Sequence, residues 1–294
     1  MPRSPAAACL VVVLLGACSS GSDDAAPSTT EASTSTSTTT TVPPTTTTTI
    51  PPGPPVAASD PAGLAAQIAR AEAAVRDPAT TGAALERAAW EAQVAYRAAA
   101  ATPEWLERVV AAVPPSLAAA VRANVTAGIE LRALTKPQPK LPPWNIVAPA
   151  PAEELLGYYK EAERQIGVPW QYLAAIHLTE TRMGRIRGTS TAGAQGPMQF
   201  LPSTWTQYGN GGDINSNKDA MLAAARLLKR NGAPENMANA LFNYNRSQRY
   251  VRAVTAYAEQ MKADERAYFG YYHWQVYYRL VDGDRHLAVG YTGT

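Results

Sequence analysis

The chain has 294 residues, of which 46% are hydrophobic, and its 26 basic residues nearly balance 24 acidic residues. This length and composition suffice for one or two domains with a hydrophobic core. The near-neutral charge and the lack of a basic tract argue against a nucleic-acid partner, because binding to phosphate backbones relies on clustered Lys and Arg side chains.

The first residues have the pattern of a bacterial export signal. Arg3 precedes an apolar run over residues 6–15 that is too short to span a membrane. The following Leu15-Gly16-Ala17-Cys18 resembles a lipobox. We therefore expect a signal peptide over 1–18, lipidation of Cys18 and anchoring at the outer face of the cytoplasmic membrane. An ordinary secretory signal cleaved nearby is the alternative.

Two regions follow the predicted signal. Residues 19–58 are rich in Ser, Thr and Pro, a composition that cannot bury a core, and we expect a disordered linker. Residues 59–135 are Ala-rich with helical spacing, and Ser59-Asp60-Pro61 is a helix start signal. Further helices are predicted at about 81–100, after Thr102-Pro103-Glu104, and at about 116–134. This region is expected to support the domain that follows.

The last region, 136–294, begins with a proline-rich segment that must be irregular. Mainly helical patterns then follow, and a hairpin is predicted at the end from two strand-like runs around Asp282-Gly283. The predicted helices run to Gly167, from Pro169 past Glu180, over 203–207, from Asp219 to Gly232, over 235–244 and over 247–261; the predicted strands cover 274–280 and 286–289.

Glu180 is the candidate catalytic residue of this region. It recurs with Leu173, Ile176 and His177 at helical spacing, so these side chains share one face. A carboxyl group on an apolar face should have a raised pKa, because burial disfavours the charged form. Such a group can donate its proton to a leaving oxygen. The alternative is a structural ion pair of Glu180 with Arg182 or Arg185.

Three sequence blocks carry a family resemblance. They are Glu180-Thr181, the run Ser190–Trp205 (STAGAQGPMQFLPSTW), and Ala240–Ser247 (ALFNYNRS) followed by Tyr250-Val251. Their order and spacing resemble the active-site segments of lysozyme-like lytic transglycosylases, specifically the membrane-bound lytic murein transglycosylase B family. The resemblance covers roughly residues 140–294. It implies a lysozyme-like helical domain. Together with the hairpin predicted from the two strand-like runs, the expected fold class is mainly α with a small C-terminal β-hairpin.

The resemblance also implies a reaction. Such enzymes cleave the MurNAc-β-1,4-GlcNAc bond of peptidoglycan without water and leave 1,6-anhydro-MurNAc ends. Glu180 matches the single acid/base, and Tyr244 matches a tyrosine that orients it. The positions that match substrate-binding residues are Ser190, Gln199, Tyr244, Asn245 and Tyr250. The glycine-rich loop before Gln199 would let a glycan chain approach the backbone closely.

Two other functions remain open at this stage. A muramidase would cleave the same bond with water and would need a second carboxylate, for which Asp213 and Asp219 are candidates. A catalytically inactive, peptidoglycan-binding lipoprotein is the other alternative, and glycan binding is also a minority interpretation of residues 59–135. Cell-wall synthesis or division proteins are candidate partners.

No cofactor or metal is expected. The run Asp213–Asp219 alternates oxygen ligands, but Ala224 occupies the position where a calcium loop needs a bidentate Glu. The three histidines have no zinc-ligand spacing, and His177 is expected to be a core residue.

Overall fold

The computed structural model describes residues 53–293, which are mainly helical. The helices within that range are α1 Pro61–Arg76, α2 Gly82–Ala101, α3 Leu106–Ala112, α4 Pro115–Leu134, α5 Ala152–Ile166, α6 Trp170–Thr181, α7 Pro202–Tyr208, α8 Asn217–Arg230, α9 Met237–Tyr244, α10 Gln248–Ala263 and α11 Arg266–Tyr272. The short strands are β1 Asn145–Ile146, β2 Ile186–Arg187, β3 Val276–Leu280 and β4 Gly283–Leu287. Among these helices, none combines the length and apolar character needed to span a membrane.

The predicted signal peptide, Cys18 and most of the predicted linker lie outside the described residues. The last part of that linker, 53–58, is described and lies beside α1 and α2 without forming a helix or a strand. The Gln67 side chain donates to the Val56 carbonyl at 3.3 Å and accepts from the Ala58 N–H at 2.9 Å. Arg87 donates to the Gly53 carbonyl at 2.8 Å. The folded part therefore begins before Ser59, where the sequence had placed its boundary.

Local capping groups explain several helix boundaries. Ser216 caps α8 by accepting the Asp219 N–H, so α8 begins at Asn217, before the predicted Asp219. The helix α5 ends at Ile166, and the φ of 80° at the next residue, Gly167, allows the left-handed C-terminal turn. The α11 helix was not predicted, because its run of aromatic residues has no clear helical spacing.

One hydrophobic core spans the two predicted regions. Leu64 of α1 and Val121 of α4 belong to the same buried cluster as Leu155, Leu173 and Val254. The helix α4 packs against α10, and α10 in turn packs against α6. This stack of three helices fixes the position of α10 beside the helix that carries Glu180.

The predicted C-terminal hairpin is present, with β3 and β4 paired antiparallel, but β4 covers Gly283–Leu287 instead of the predicted 286–289. A second antiparallel pair, β1 with β2, was not predicted, because two-residue strands leave too short a pattern to detect in a sequence. The pair links the proline-rich segment to the backbone that directly follows α6.

Candidate active site

Glu180 lies on the last turn of α6 and is 6% exposed. The apolar face predicted from the sequence is buried as expected, since Leu173, Ile176 and His177 are each 0% exposed. The carboxylate therefore lies on a helix that the rest of the molecule encloses.

The two oxygens of the Glu180 carboxyl group have different surroundings. Oε1 accepts a hydrogen bond from the Tyr250 hydroxyl at 2.7 Å. Oε2 is buried and has no hydrogen-bond partner among residues 53–293. Burial raises the pKa of Glu180 to about 7, although the Tyr250 hydrogen bond acts in the opposite direction. A comparable share of protonated and charged carboxyl groups therefore exists near neutral pH.

The ion-pair alternative for Glu180 is wrong. Arg182 donates to the Leu178 carbonyl at 2.8 Å, and Arg185 donates to the Tyr272 carbonyl at 2.7 Å. Within the described range no arginine or lysine forms a salt bridge with Glu180. Arg182 instead binds carbonyls at the end of α6, where a helix lacks internal partners for them.

Tyr250 occupies the orienting position that the resemblance had given to Tyr244. Ser247 caps α10 by accepting the Tyr250 N–H at 3.4 Å, which holds Tyr250 in the first turn of that helix. The Tyr244 hydroxyl donates to the Met198 carbonyl at 2.6 Å. The two rings are parallel, with centroids 6.4 Å apart. Tyr250 thus contacts the carboxyl group, and Tyr244 holds the loop that precedes α7.

Gln199 lies at the end of the glycine-rich loop in a strained conformation. Its φ is 50°, a region that residues other than glycine rarely adopt. Its side chain is 6% exposed and donates to the Gly196 carbonyl at 3.0 Å and, more weakly, to the Gly188 carbonyl at 3.5 Å. Gln199 therefore ties together both ends of the loop beside α6.

Ser190 closes the outer part of the same loop. Its Oγ accepts the Ala194 N–H at 3.0 Å, and its own N–H donates to the Ala194 carbonyl at 2.9 Å. These bonds form a compact turn rather than a direct bond to Glu180. A contact of Ser190 with substrate remains a prediction.

Asn245 ends α9 and is 5% exposed. Its backbone N–H donates to the Leu241 carbonyl at 2.9 Å, which fixes the residue at the helix end. No described residue forms a hydrogen bond with its side-chain amide. That amide retains its donors and acceptor for a hydroxyl-rich ligand.

The structure supports the prediction that His177 is a core residue. Its Nδ1 lies 2.6 Å from the Tyr159 hydroxyl, and burial, together with the charges of Arg187 and Arg185, lowers its pKa to about 3. The imidazole is therefore neutral at physiological pH.

Sequence reasoning gave Thr181 and Trp144 no role. The Thr181 hydroxyl donates to the Pro197 carbonyl at 2.6 Å and accepts the Gly184 N–H at 3.1 Å, so it joins α6 to the loop. Thr181 did lie in the motif next to Glu180, which was the available signal. Trp144, from the distant proline-rich segment, lies against Gly188 in the glycine-rich loop. No sequence signal pointed to this contact.

The possible metal ligands are engaged with each other or dispersed. Asp213 Oδ1 accepts the Asn215 N–H at 2.9 Å, and Asp219 Oδ2 accepts the Asp213 N–H at 3.1 Å. No cluster of three or more His, Cys, Asp or Glu side chains suited to a metal ion occurs between residues 53 and 293.

The mainly helical fold and the small C-terminal hairpin are consistent with a lysozyme-like domain. Residues 157–267 match the family model of the Transglycosylase SLT domain. The protein thus carries a lytic transglycosylase domain, which is a lyase-type enzyme that cleaves peptidoglycan. Comparisons with curated proteins and with solved structures found no match.

Proposed function

We propose that the protein cleaves the MurNAc-β-1,4-GlcNAc bond of peptidoglycan and leaves 1,6-anhydro-MurNAc ends, as enzymes of the membrane-bound lytic murein transglycosylase B type do. The observation that carries this proposal is the Glu180 carboxyl group. It is buried, its pKa is raised to about 7, and its Oε2 is without a partner among the described residues.

The proton to be donated resides on Oε2, because Oε1 is the acceptor of the Tyr250 hydroxyl. Glu180 transfers this proton to the glycosidic oxygen as the bond from that oxygen to C1 of MurNAc breaks. The resulting carboxylate removes the proton from the C6 hydroxyl of the same MurNAc. O6 then bonds to C1, and the anhydro ring closes. One carboxyl group returns to its starting state, and no water is consumed.

The remaining site residues have supporting roles in this proposal. Tyr250 orients the acid and stabilises its charged form after proton transfer. Tyr244, through Met198, and Gln199 shape the loop against which the glycan lies. Asn245 and Ser190 supply hydrogen bonds to sugar hydroxyl and amide groups, which suit neutral polar ligands.

Hydrolysis by the same site would require a second carboxylate to activate water. The two candidates, Asp213 and Asp219, each accept a backbone hydrogen bond within their own loop. Neither carboxyl group is hydrogen-bonded to Glu180, so the proposal uses the internal C6 hydroxyl instead of water as the nucleophile.

The proposed location is the outer face of the cytoplasmic membrane, with Cys18 carrying lipid and the catalytic domain facing the cell wall. Cell-wall synthesis or division proteins are the proposed class of protein partner.

Metabolic labelling with a fatty acid should mark the wild-type protein and leave the Cys18→Ser variant unlabelled. Labelling of the variant would exclude Cys18 as the attachment site.

The reaction is tested with the full chain in mild detergent, purified sacculi, and mass spectrometry of the released muropeptides. Wild type should release anhydro-muramyl products, and Glu180→Gln should lose activity by about 10²–10⁴-fold or more. The exposed Glu104→Gln is the matched control and should retain activity. Reducing-end products would establish hydrolysis instead. Binding to sacculi without any product from wild type would favour the inactive glycan-binding alternative.

A further inference from the structure

The last described residues lie beside β1 and pair with it through one isolated antiparallel bridge, between Asn145 and Thr292. The Ile146 N–H donates to the Tyr291 carbonyl at 2.9 Å, and the Gly290 N–H donates back to the Ile146 carbonyl at 2.8 Å. The Gly293 N–H donates to the Trp144 carbonyl at 2.7 Å. We name residues 288–293 the C-terminal clasp. It lies outside residues 157–267, the part that matches the family model.

The opposite edge of β1 holds the backbone that enters the glycine-rich loop. Ile146 pairs with Ile186, and Asn145 pairs with Arg187, the residue directly before Gly188. The Val147 N–H also donates to the Arg185 carbonyl at 2.9 Å. β1 therefore lies between the clasp and the start of the loop.

Trp144, the residue directly before β1, packs against the glycine-rich loop. A Cβ atom on Gly188 would lie 2.9 Å from Cδ1 of Trp144, so the indole ring is pressed against the Gly188 backbone. The Gly188 carbonyl in turn accepts the Gln199 side chain at 3.5 Å. The contacts run from the clasp through β1 and Trp144 to the strained Gln199.

β1 has too few residues to hold this position with β2 alone, because short two-stranded pairs are marginally stable. Ile146 also packs against Val276, Tyr278 and Leu287 of the hairpin, and the clasp adds backbone hydrogen bonds along the free edge of β1. The end of the clasp has no room for a larger residue. A Cβ atom on Gly293 would overlap the Pro142 carbonyl oxygen and lie 2.5 Å from Cα of Pro143. The Tyr291 hydroxyl adds a bond to the same Pro142 carbonyl at 2.8 Å.

We propose that the C-terminal clasp is a positioning element for the substrate-binding loop 188–199, acting through β1 and Trp144. The role of that loop in binding glycan rests on the proposed function above. The clasp itself does not touch the reacting atoms. Its loss should loosen the loop while the Glu180–Tyr250 pair, held by α6 and α10, stays intact.

The test compares wild type with Gly293→Val, whose side chain cannot fit beside Pro142 and Pro143. The control is Val289→Ala, since Val289 is 55% exposed within the clasp. Hydrogen exchange followed by mass spectrometry should show amides of 188–199 exchanging about tenfold faster or more in Gly293→Val, with α6 amides unchanged. The control should match wild type in both segments.

Hydrogen exchange can be measured without catalytic turnover. A failure of the positioning role can therefore be distinguished from a failure of the proposed function. Where turnover is measured, KM for sacculi fragments should rise while the pH profile set by Glu180 stays in place. Deletion of residues 288–294 introduces no steric overlap and should reproduce the faster loop exchange. The proposal is overturned if the Ile146 amide loses protection in either variant while the loop amides exchange as in wild type.

Discussion

At the scale of single residues, two opposing effects set the pKa of the Glu180 carboxyl group, namely burial and one hydrogen bond. Burial raises the pKa of its carboxyl group, and the Tyr250 hydroxyl partly opposes that shift by favouring the charged form. The protonated form is the one needed to start bond cleavage, so activity should fall as pH rises through about 7.

Removal of the Tyr250 hydroxyl should move this loss of activity to higher pH. Tyr250→Phe deletes the group that stabilises the charged carboxylate, so the pKa of Glu180 rises further. The measurement is kcat/KM against pH for soluble glycan fragments. Tyr172→Phe is the matched control, because Tyr172 lies on α6, the helix that carries Glu180, but its hydroxyl donates to Glu259. An unchanged alkaline limb in Tyr250→Phe would show that another group sets it.

The raised pKa of Glu180 also has a consequence for stability. Between pH 4.5 and about 7 the unfolded chain releases this proton while the folded protein keeps it, so the free energy of unfolding falls as pH rises. Glu180→Gln removes the ionisation and should be more stable than wild type above pH 7, by up to about 3 kcal/mol.

Urea unfolding of both proteins at pH 4 and pH 8.5 measures this difference. The gap between the two proteins should be largest at the higher pH and nearly vanish at the lower one. Comparing the pair cancels the opposite contribution of His177, whose lowered pKa makes stability decline on acidification between pH 6.5 and about 3. A gap independent of pH would contradict the assigned pKa shift.

At the scale of elements, the loop between α6 and α7 depends on glycine for two different reasons. Gly193 and Gly196 both have positive φ, at 83° and 74°. A Cβ atom on Gly193 would meet nothing within 4 Å, whereas one on Gly196 would overlap the Ile214 carbonyl oxygen. Close approach of two backbones is therefore required at Gly196 alone.

The two glycines form a matched pair for mutation. Gly193→Ala should lower the free energy of unfolding by about 1–2 kcal/mol, from backbone strain only. Gly196→Ala adds a steric overlap and should cost more than about 3 kcal/mol, with a larger loss of sacculus cleavage. Denaturant unfolding and muropeptide release measure the two effects. An equal loss of unfolding free energy in both variants would mean that the segment around Ile214 can move away from the added Cβ atom without destabilising the protein.

At the scale of the whole molecule, the N-terminal helices share the core of the catalytic domain. Glu130 of α4 binds Arg249 and Arg252 of α10, and the Tyr271 hydroxyl of α11 donates to Asn124 of α4 at 2.7 Å. These contacts support the predicted structural role of residues 59–135.

A shared core should unfold in one transition. Leu64→Ala, in α1 and far along the chain from Glu180, should destabilise the entire protein by about 2–5 kcal/mol. Loss of helical circular dichroism and exposure of tryptophan should shift together. Leu141→Ala, at a position 42% exposed, serves as the control and should change stability by less than about 0.5 kcal/mol. Two separate transitions, only one of them shifted, would indicate independent domains.

The sequence alone determined the order and approximate bounds of most helices, the C-terminal hairpin and the buried face that carries Glu180. Those features depend on local spacing, capping residues and turn residues, which are all present in a short stretch of chain. The glycine-rich loop and the motif around Tyr244 and Asn245 also marked the candidate site without coordinates.

Only the tertiary structure decided which side chains meet. It assigned the hydrogen bond on Glu180 to Tyr250, excluded Arg182 and Arg185 as ion-pair partners, and joined residues 290–293 to Trp144 and β1. These contacts join residues that lie far apart in the chain. Their formation depends on how helices and strands pack in three dimensions, and no local spacing encodes that choice.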